Sequence, residues 1–512
     1  MVITGRRSRP PHLPALLAHQ ADAHARQAAV SVSRGAPLSY GVWWQRAQAA
    51  SKFLRARIQP GGLIALPFPS DAWPEYCVAY IACQLAGGVP VPSKAEMSPR
   101  EWDRLIDSCR IAHVVVPDAS PALPPSVVSR AIIWPFDQID RGYAPGSGAP
   151  QPMRTPVCDV AHVLFTSGTT GEPKAIAATH TELLGGSSLP PTWAGRTLVH
   201  VMGPAAAAGT EGAMLLALKS GLHATTVAPL EVASLAEKIV DPGTSVVLLT
   251  PSVAMMCIRS GLLSATVPQV KLVMLMGSAT PDWVMRELTR YFAGGTVLSH
   301  YGATEAGAAQ LLMPFDRRRP GAAGQAVGAT EVRVTVDGRD VASGEVGEVL
   351  LRRKGVPQRS YLQEYPSSLP VFEADGWVHT GDLGYLDEDG YLYLLGRKKD
   401  IVVRGGQNIA PVEVEAELTA HPEVAEAAAF GVPHELWGEM LVAAVVLRET
   451  GAVTSAELRR TLRSQLAAFK VPSRIVMVDS LPRNDAGKVE KTRLREIYLS
   501  TAPVPRSESD QP

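Results

Sequence analysis

The sequence predicts an α/β protein with several domains, and three observations support this fold class. At 512 residues the chain is longer than one hydrophobic core usually supports, so about two to four domains are expected. Strand-like and helix-like segments alternate over much of the chain, which predicts parallel sheets covered by helices. Apolar residues make up 46% of the chain and charged residues 19%, as is usual in globular enzymes.

The first α/β subdomain is predicted at about residues 1–155. A helix-like segment at 38–58 precedes the strand-like GLIALPF, and the helix-like PEYCVAYIACQLAG precedes the strand-like GVPVP. HVVVPD (113–118) adds a further buried strand. A second α/β subdomain is predicted at about 156–325, with SVVLLTP (245–251) and KLVMLMG (271–277) as strands.

The remainder of the chain has a different pattern. Residues 331–353 alternate polar and apolar side chains around a VDGRD turn, which predicts a small β subdomain at about 326–398. A small α+β domain is predicted at 399–500, with helices at 411–420 and 455–469. Residues 501–512 are predicted to be a disordered polar tail.

Composition excludes several classes of function. Lys plus Arg and Asp plus Glu both number 49, so no net charge favours a nucleic-acid or anionic-membrane partner. We expect no membrane span, because no apolar run is long enough, and no secretory signal, because the N-terminus lacks an apolar core. The five cysteines show neither a CxxC pair nor metal-ligand spacing, so we expect reduced thiols in the cytoplasm and no structural metal.

The stretch LFTSGTTGEPKAI (164–176) is the first candidate site. Hydroxyls, glycines that let backbone N–H groups approach a ligand, and one cation come from Thr166, Ser167, Gly168, Thr169, Thr170, Gly171 and Lys174. This composition predicts an anion-binding loop, although it is not the phosphate loop GxxxxGK[ST]. A flexible surface loop is the alternative interpretation.

Three more stretches hold candidate residues. In SHYGATEAG (299–307), Glu305 could hold Mg²⁺ on a phosphate, and a glutamate at a helix start is the alternative. The stretch 377–415 places Asp382 in a predicted TGD turn and Arg397 at a strand end. Lys488 follows a glycine in a turn and would, taken alone, be a solvated lysine.

TSGTTGEPK, YGATE, TGD, GRKKD, RGGQNI and DAGKVEK, in this order, resemble the adenylate-forming superfamily of acyl-CoA synthetases, adenylation domains and luciferases. The motif style is closest to the acyl-CoA ligases. The resemblance implies an N-terminal AMP-binding domain over residues 1–398, with a small β-barrel subdomain, and a mobile C-terminal domain. It implies that ATP converts a small carboxylic acid into an acyl-adenylate with release of pyrophosphate. The acyl group would then pass to the thiol of CoA.

The resemblance also implies catalytic roles. The loop 166–174 would bind the β- and γ-phosphates of ATP, Thr304 would contact the α-phosphate, and Glu305 would hold Mg²⁺. Lys488 would bridge the incoming carboxylate and the α-phosphate. Donors and cations are needed here because negative charge builds up on the α-phosphoryl oxygens.

Further roles implied by the resemblance concern the nucleotide and the thiol. Asp382 would accept hydrogen bonds from both ribose hydroxyls, with help from Arg397. Lys399 would be the hinge about which the small domain rotates. Gly405 and Gly406 would leave room for a narrow pantetheine arm. The adenine would be framed by Gly277, Ser278, Ala279, His300, Tyr301 and Gly302.

The sequence departs from the family pattern in the predicted acid pocket. GPAAAAGTEG (203–212) has Ala207 where an aromatic residue is expected, and Gly209 would line the same pocket. Glu211 is the only carboxylate near the point where members that activate amino acids carry an Asp. Because an unpaired buried ammonium is costly, an ordinary α-amino acid is disfavoured.

Two alternatives remain at this stage. A stand-alone adenylating enzyme could pass the acyl group to the pantetheine of a carrier protein or to an amine. A nucleotide-binding regulatory protein without catalysis is disfavoured, because every catalytic position that the resemblance implies is filled.

Overall fold

The chain is described in a computed structural model over residues 12–118, 123–144, 158–166, 174–186, 188–263, 266–363, 371–448, 451–483 and 489–501. Two units are distinguished by their internal contacts. The first comprises Met1–Pro320, Ala326–Glu331 and Leu351–Val378, and the second comprises Gly321–Gln325, Val332–Leu350 and His379–Pro512. The domain boundaries taken from the sequence stay predictions.

The strands of the described residues follow in chain order. They are β1 (Ala28–Val32), β2 (Leu38–Ser39), β3 (Leu63–Pro67), β4 (Val89–Ser93), β5 (His113–Val116), β6 (Ile132–Pro135), β7 (Val160–Thr166), β8 (Lys174–Thr179), β9 (Thr197–His200), β10 (His223–Thr226), β11 (Thr244–Leu249), β12 (Leu272–Leu275), β13 (Thr296–Tyr301), β14 (Leu311–Pro314), β15 (Ala322–Ala326), β16 (Thr330–Val336), β17 (Arg339–Asp340), β18 (Gly347–Arg353), β19 (Ser360–Tyr361), β20 (Val378–Leu386), β21 (Leu392–Arg397), β22 (Val402–Arg404), β23 (Gln407–Ile409), β24 (Val424–His434), β25 (Gly438–Leu447) and β26 (Arg474–Met477).

The helices of the described residues are mostly short. They are α1 (Leu13–Ala23), α2 (Tyr40–Arg55), α3 (Trp73–Leu85), α4 (Pro99–Cys109), α5 (Pro125–Val128), α6 (Phe136–Asp140), α7 (His180–Gly185), α8 (Leu216–Ser220), α9 (Val232–Val240), α10 (Pro251–Arg259), α11 (Asp282–Tyr291), α12 (Pro411–Ala420), α13 (Ser455–Gln465) and α14 (Lys491–Thr501). A π-helical segment covers Ala208–Leu215 and a 3-10 turn covers Lys398–Asp400. Within these described ranges, no helix combines the length and the apolar character needed to cross a bilayer.

The first unit contains the predicted parallel sheets, so the α/β fold class is confirmed. Strands β1, β10, β9, β11, β12 and β13 lie side by side in parallel. A second sheet has the order β4-β3-β5-β6, also parallel. Every residue of β11 is buried, as is usual for a parallel strand with both faces covered. The carboxyl ends of neighbouring parallel strands lie at one edge, where ligands usually bind.

The second unit contains antiparallel strands and an α+β region. Its first sheet has the order β17-β16-β18-β20-β21-β15, and its second has β23-β22-β25-β24, with β26 pairing in parallel with β25. The predicted helix at 411–420 is confirmed as α12. The prediction of one helix over 455–469 is wrong, because α13 ends at Gln465 where Leu466 turns to an extended backbone conformation.

Candidate active site

The phosphate side of the predicted site begins at the hairpin of β7 and β8. These strands are antiparallel, and Thr166 is paired with Lys174. Ser167, Gly168, Thr169, Thr170 and Gly171 lie outside the described residues. The Lys174 side chain is buried, and its Nζ lies 5.2 Å from the centroid of the Tyr361 ring.

Tyr361 lies beside two of the predicted site residues, although no sequence motif singled it out. Strand β19 pairs with β8, with Tyr361 opposite Ile176, which brings the ring over the hairpin. The Tyr361 hydroxyl lies 3.5 Å from Oε1 of Glu305, at the outer limit of a hydrogen bond. Lys174 and Glu305 therefore lie close to the same aromatic side chain.

Glu305 lies in a turn between β13 and β14, so the alternative of a helix-start glutamate is wrong. Among the described residues, no lysine or arginine forms an ion pair with its carboxylate. A cavity of about 380 Å³ opens beside it, lined by Glu182, Glu305, Arg359 and neighbouring residues of 352–358 and 374–378. A carboxylate that no described lysine or arginine neutralises, placed beside a cavity, fits the chemistry of a Mg²⁺ ligand.

A buried network of charges lies behind this cavity. Arg359 Nε and Nη2 each lie 3.1 Å from a carboxylate oxygen of Glu182, and Nη2 lies 2.8 Å from Oε2 of Glu211. His162 Nε2 lies 3.0 Å from Oε1 of Glu211, and the Tyr80 hydroxyl lies 2.7 Å from His162 Nδ1. With a neutral His162, Tyr80 donates to Nδ1 and Nε2–H donates to Glu211. Both ring nitrogens of His162 then have a hydrogen-bond partner.

The network fixes the ionisation of Glu211. Burial opposes ionisation, but the Arg359 guanidinium and the His162 hydrogen bond outweigh it and lower the pKa of this carboxyl to about 2. The two carboxylates in turn raise the pKa of Arg359, although burial acts in the opposite direction. Glu211 is therefore ionised, and both of its carboxylate oxygens are already engaged within the protein.

The residues predicted to frame the adenine lie at the carboxyl edge of the large parallel sheet. Gly277, Ser278 and Ala279 follow β12 and are exposed, and Gly277 has a φ of +99°. His300 and Tyr301 end the neighbouring strand β13, and Gly302 follows directly. Adjacent parallel strands bring these two groups to one edge, and their role at the adenine stays a prediction. His300 Nε2 lies 3.1 Å from Gln310 Oε1, and burial lowers the pKa of this imidazole.

The predicted acid pocket lies at the start of the π-helical segment. Gly209 is buried, and a Cβ there would collide with the carbonyl oxygen of Gly203, so only glycine allows this close approach. Ala207 is the residue before the segment. Two residues beyond Gly209, Glu211 enters the charge network. π-Helical turns are rare in proteins, and those that occur are often found at functional sites.

The residues predicted to hold the ribose belong to the second unit. Asp382 on β20 is paired with Arg397 on β21, and Arg397 Nε lies 2.8 Å from Asp382 Oδ1. The prediction that Asp382 lies in a turn is wrong, because β20 continues through it. The pairing of β20 with β21 is irregular between Leu383 and Gly384, and Gly381 within the strand has a φ of +70°. Arg397 ends its strand as predicted.

The remaining predicted residues lie near β22 and β23. Lys399 is the middle residue of a 3-10 turn, and its role as a hinge stays a prediction. Gly405 and Gly406 form the turn between the two strands, with φ values of +58° and +80°. A Cβ on Gly405 would lie 2.7 Å from the Trp437 ring, whereas a Cβ on Gly406 would have nothing within 4 Å. Lys488 lies outside the described residues.

The charge network was missed by sequence reasoning. Arg359 is separated from Glu182 by 177 residues and from Glu211 by 148, so no local pattern connects them. The available signal was that Glu182 and Glu211 each stand in a mostly apolar stretch of the sequence. Within the described ranges there is no group of three or more His, Cys, Asp or Glu residues suited to a metal ion.

Comparison with known proteins identifies family relationships. A model of the family described as AMP-binding enzyme matches residues 17–361, and a model of the AMP-binding enzyme C-terminal domain matches residues 413–488. A 2-succinylbenzoate–CoA ligase of Geobacillus kaustophilus is 33% identical over 361 residues, covering 67% of this chain and 70% of the relative. A probable CoA ligase of Humulus lupulus is 28% identical over 497 residues, covering 90% of this chain and 91% of the relative.

Solved structures show the same architecture. The ATP-bound crystal structure of MatB from Rhodopseudomonas palustris has a TM-score of 0.80 at 27% identity, covering 94% of this chain and 98% of that chain. The o-succinylbenzoate CoA synthetase from Bacillus subtilis, in complex with its acyl-adenylate intermediate, has a TM-score of 0.82 at 23% identity, covering 96% of this chain and 99% of that chain. At that identity the second likeness supports the fold alone.

Proposed function

This chain belongs to the AMP-binding enzyme family, and we propose on that premise that it is an AMP-forming carboxylate–CoA ligase. It activates a carboxylic acid with ATP and transfers the acyl group to CoA. The observation that carries the assignment of its site is the position of Lys174 and Glu305 beside one ring, that of Tyr361. A cation and a free carboxylate are the groups needed around a bound triphosphate.

The reaction has two steps. In the first, a carboxylate oxygen attacks the α-phosphorus of ATP, the bond from that phosphorus to the bridging oxygen breaks, and pyrophosphate leaves. In the second, the CoA thiol loses its proton and attacks the acyl carbonyl, and AMP leaves. We assign Lys174 to the outer phosphates, Thr304 to the α-phosphate, and Lys488 to the meeting point of carboxylate and α-phosphate.

Mg²⁺ belongs to the proposal as the partner of ATP. Glu305 would hold it, and the bound cation would neutralise charge on the phosphate oxygens. One carboxylate is enough for this purpose, since Mg²⁺ in such sites takes most of its ligands from phosphate and water.

The substrate is proposed to be an acid without an α-ammonium group. Glu211 is the carboxylate within the stretch of the predicted acid pocket, and its two oxygens are already engaged by Arg359 and His162. An ammonium group there would lack a free counter-ion. The relatives include ligases named for 2-succinylbenzoate and oxalate, neither of which is an amino acid.

The acceptor and the location complete the proposal. Relatives named CoA ligases favour CoA over a carrier protein or an amine. A cytoplasmic location is proposed because the five cysteines are free thiols, four of them buried, as expected in a reducing compartment.

The test is pyrophosphate release with a panel of aliphatic, aryl, dicarboxylic and α-amino acids, each with and without CoA. We expect release to require ATP and a non-amino acid, and CoA to convert stoichiometric adenylate into CoA thioester and AMP. Release that ignores the acid, or robust activity with amino acids alone, would contradict the proposal.

A further inference from the structure

The turn that carries Thr304 and Glu305 is held by two buried charges at its two ends. Arg359 Nη1 donates to the carbonyl oxygen of Thr304 at 2.8 Å. The backbone N–H of Ala308 donates to Oε1 of Glu182 at 3.0 Å. Because Arg359 and Glu182 are paired with each other, one ion pair fixes both ends of the turn 304–308.

Gly307 shows how closely this turn follows the ion pair. Its φ is +55°, and a Cβ added there would lie 2.6 Å from Nε of Arg359 and would also collide with Glu182. Any side chain at this position must displace the turn or the ion pair. The path of the backbone from Thr304 to Ala308 is therefore matched to these two side chains.

Stability alone is a weak reason for such an arrangement. The Arg359 and Glu182 side chains are 2% and 3% exposed, and desolvation of such a pair often offsets its attraction. Apolar residues of similar size would serve a purely structural purpose equally well. A guanidinium also fixes orientation, which apolar side chains cannot do, because its rigid set of N–H donors holds a carbonyl and two carboxylates in fixed directions.

The same guanidinium reaches the predicted acid pocket. Arg359 Nη2 binds Glu211, which the π-helical segment carries two residues beyond Gly209. The wall of the acid pocket and the turn 304–308 are thus joined through one side chain. A shift of either element would move the other.

We propose that Arg359 is a positioning residue for acyl-adenylate formation, a role that rests on the proposed function. It fixes the position of the Thr304 carbonyl group directly and that of the Ala308 amide through Glu182. Thr304 and Glu305 are thereby held in the orientation that nucleotide binding requires. Through its bond to Glu211, Arg359 also fixes the position of this turn relative to the predicted acid pocket.

The experiment compares Arg359→Gln, Arg359→Lys and Gly307→Ala with Arg290→Gln, a control at a 73% exposed arginine of α11. Pyrophosphate release gives kcat and KM for the acid and for ATP, and supplied acyl-adenylate isolates thioester formation. We expect each of the first three variants to lower kcat of adenylation about 100-fold, the scale of small misplacements of reacting groups. Thioester formation and the control should remain near wild type.

The two kinds of variant separate positioning from charge. Arg359→Lys keeps a cation for the carboxylates but loses the fork, so it should recover thermal stability without recovering kcat. Gly307→Ala keeps all charges but crowds the contact between the turn and the Arg359–Glu182 pair. A folded Arg359→Gln with unchanged adenylation, or equal losses in both half-reactions, overturns the proposal. If Arg359→Gln does not fold, Gly307→Ala decides by the same criteria.

Hydrogen exchange provides a readout that does not depend on turnover. Amides of residues 302–310 should exchange faster in Arg359→Gln than in wild type or Arg290→Gln. Unchanged exchange there overturns the positioning role. If Arg359→Gln exchanges faster than wild type but the wild-type protein shows no acid-dependent pyrophosphate release, the proposed function is rejected and the positioning role of Arg359 is not.

Discussion

Asp382 and Arg397 occupy paired positions on antiparallel strands, and Arg397 Nε lies 2.8 Å from Asp382 Oδ1. Arg397 Nη1 also donates to the carbonyl oxygen of Thr380 at 2.9 Å, which fixes the guanidinium from a second side. The carboxylate is largely buried, at 8% exposure of the residue. A carboxylate held in this way is oriented before any ligand arrives.

Asp382→Ala should weaken the use of ATP, because the ribose hydroxyls lose a charged acceptor. Hydrogen bonds to charged groups contribute about 1.5–3 kcal/mol, so KM for ATP should rise roughly 10- to 100-fold. KM for the acid should change little. Glu388→Ala, at an exposed position of the β20–β21 turn, is the matched control. Equal KM values for ATP in the two variants would contradict the ribose assignment.

The comparison of sequence and structure shows where local patterns suffice. The strands β11 and β12 were predicted because runs of buried aliphatic residues identify parallel strands. Asp382 and Arg397 were found by motif, yet the TGD segment was assigned to a turn. Glycine and aspartate favour turns locally, whereas pairing with β21 decides the conformation here.

The charge network around Arg359 could not be predicted from the same information. Its members are ordinary charged residues in sequence, and only tertiary packing brings them together across more than a hundred positions. Burial is what makes them exceptional, since isolated charges are rarely buried and paired ones are held in place. Such groups become visible only when the fold is known.

Glu305→Gln should raise the Mg²⁺ concentration that gives half-maximal pyrophosphate release. The amide keeps the shape of the side chain but removes the negative charge that the cation requires. We expect an increase of about tenfold or more, equivalent to about 1.4 kcal/mol of metal binding. Thermal unfolding without ligand should be unaffected, and Glu237→Gln on the exposed face of α9 serves as control. An unchanged Mg²⁺ requirement would remove Glu305 from the metal site.

Two buried histidines should make the protein sensitive to acid. Burial lowers the pKa of His180 and of His200 to about 3, and each Nδ1 accepts a backbone N–H, from Leu13 and Met202 respectively. In the unfolded chain the same groups titrate near 6.5. Their stabilising contribution is therefore complete above pH 6.5 and is lost progressively as the pH falls towards 3.

The expected slope follows from proton linkage. Each histidine should reduce the free energy of unfolding by about 1.4 kcal/mol per pH unit within that window. The double variant His180→Asn and His200→Asn should show a flatter dependence of Tm on pH, whatever its absolute stability. His19→Gln, at an exposed position, should leave the slope unchanged. Identical slopes in all three proteins would show that other groups govern acid unfolding.

Lys488→Ala tests the role of a residue that lies outside the described residues. Its ammonium is assigned to the transition state of adenylation, where loss of one electrostatic partner lowers kcat by about 100- to 1000-fold. Thioester formation from supplied acyl-adenylate should survive. Lys491→Ala is the control, because Lys491 is engaged by Glu415 at 2.6 Å. Equal losses in the two half-reactions would refute the assignment.

Gly406→Ala tests whether the turn between β22 and β23 borders the path of the thiol. Gly406 has a φ of +80°, and a Cβ added there meets no atom within 4 Å, so only backbone strain opposes alanine in the free protein. Gly390 has a φ of +78° and equally open surroundings, which makes Gly390→Ala a control with the same strain. Both variants should lose about 1 kcal/mol of stability.

If a pantetheine arm passes close to Gly406, the methyl group of the introduced alanine should slow thioester formation and raise KM for CoA, while adenylation stays near wild type. Gly390→Ala should change neither half-reaction. Indistinguishable kinetics for the two variants, measured with CoA and separately without it, would mean that the glycines of this turn serve the turn alone.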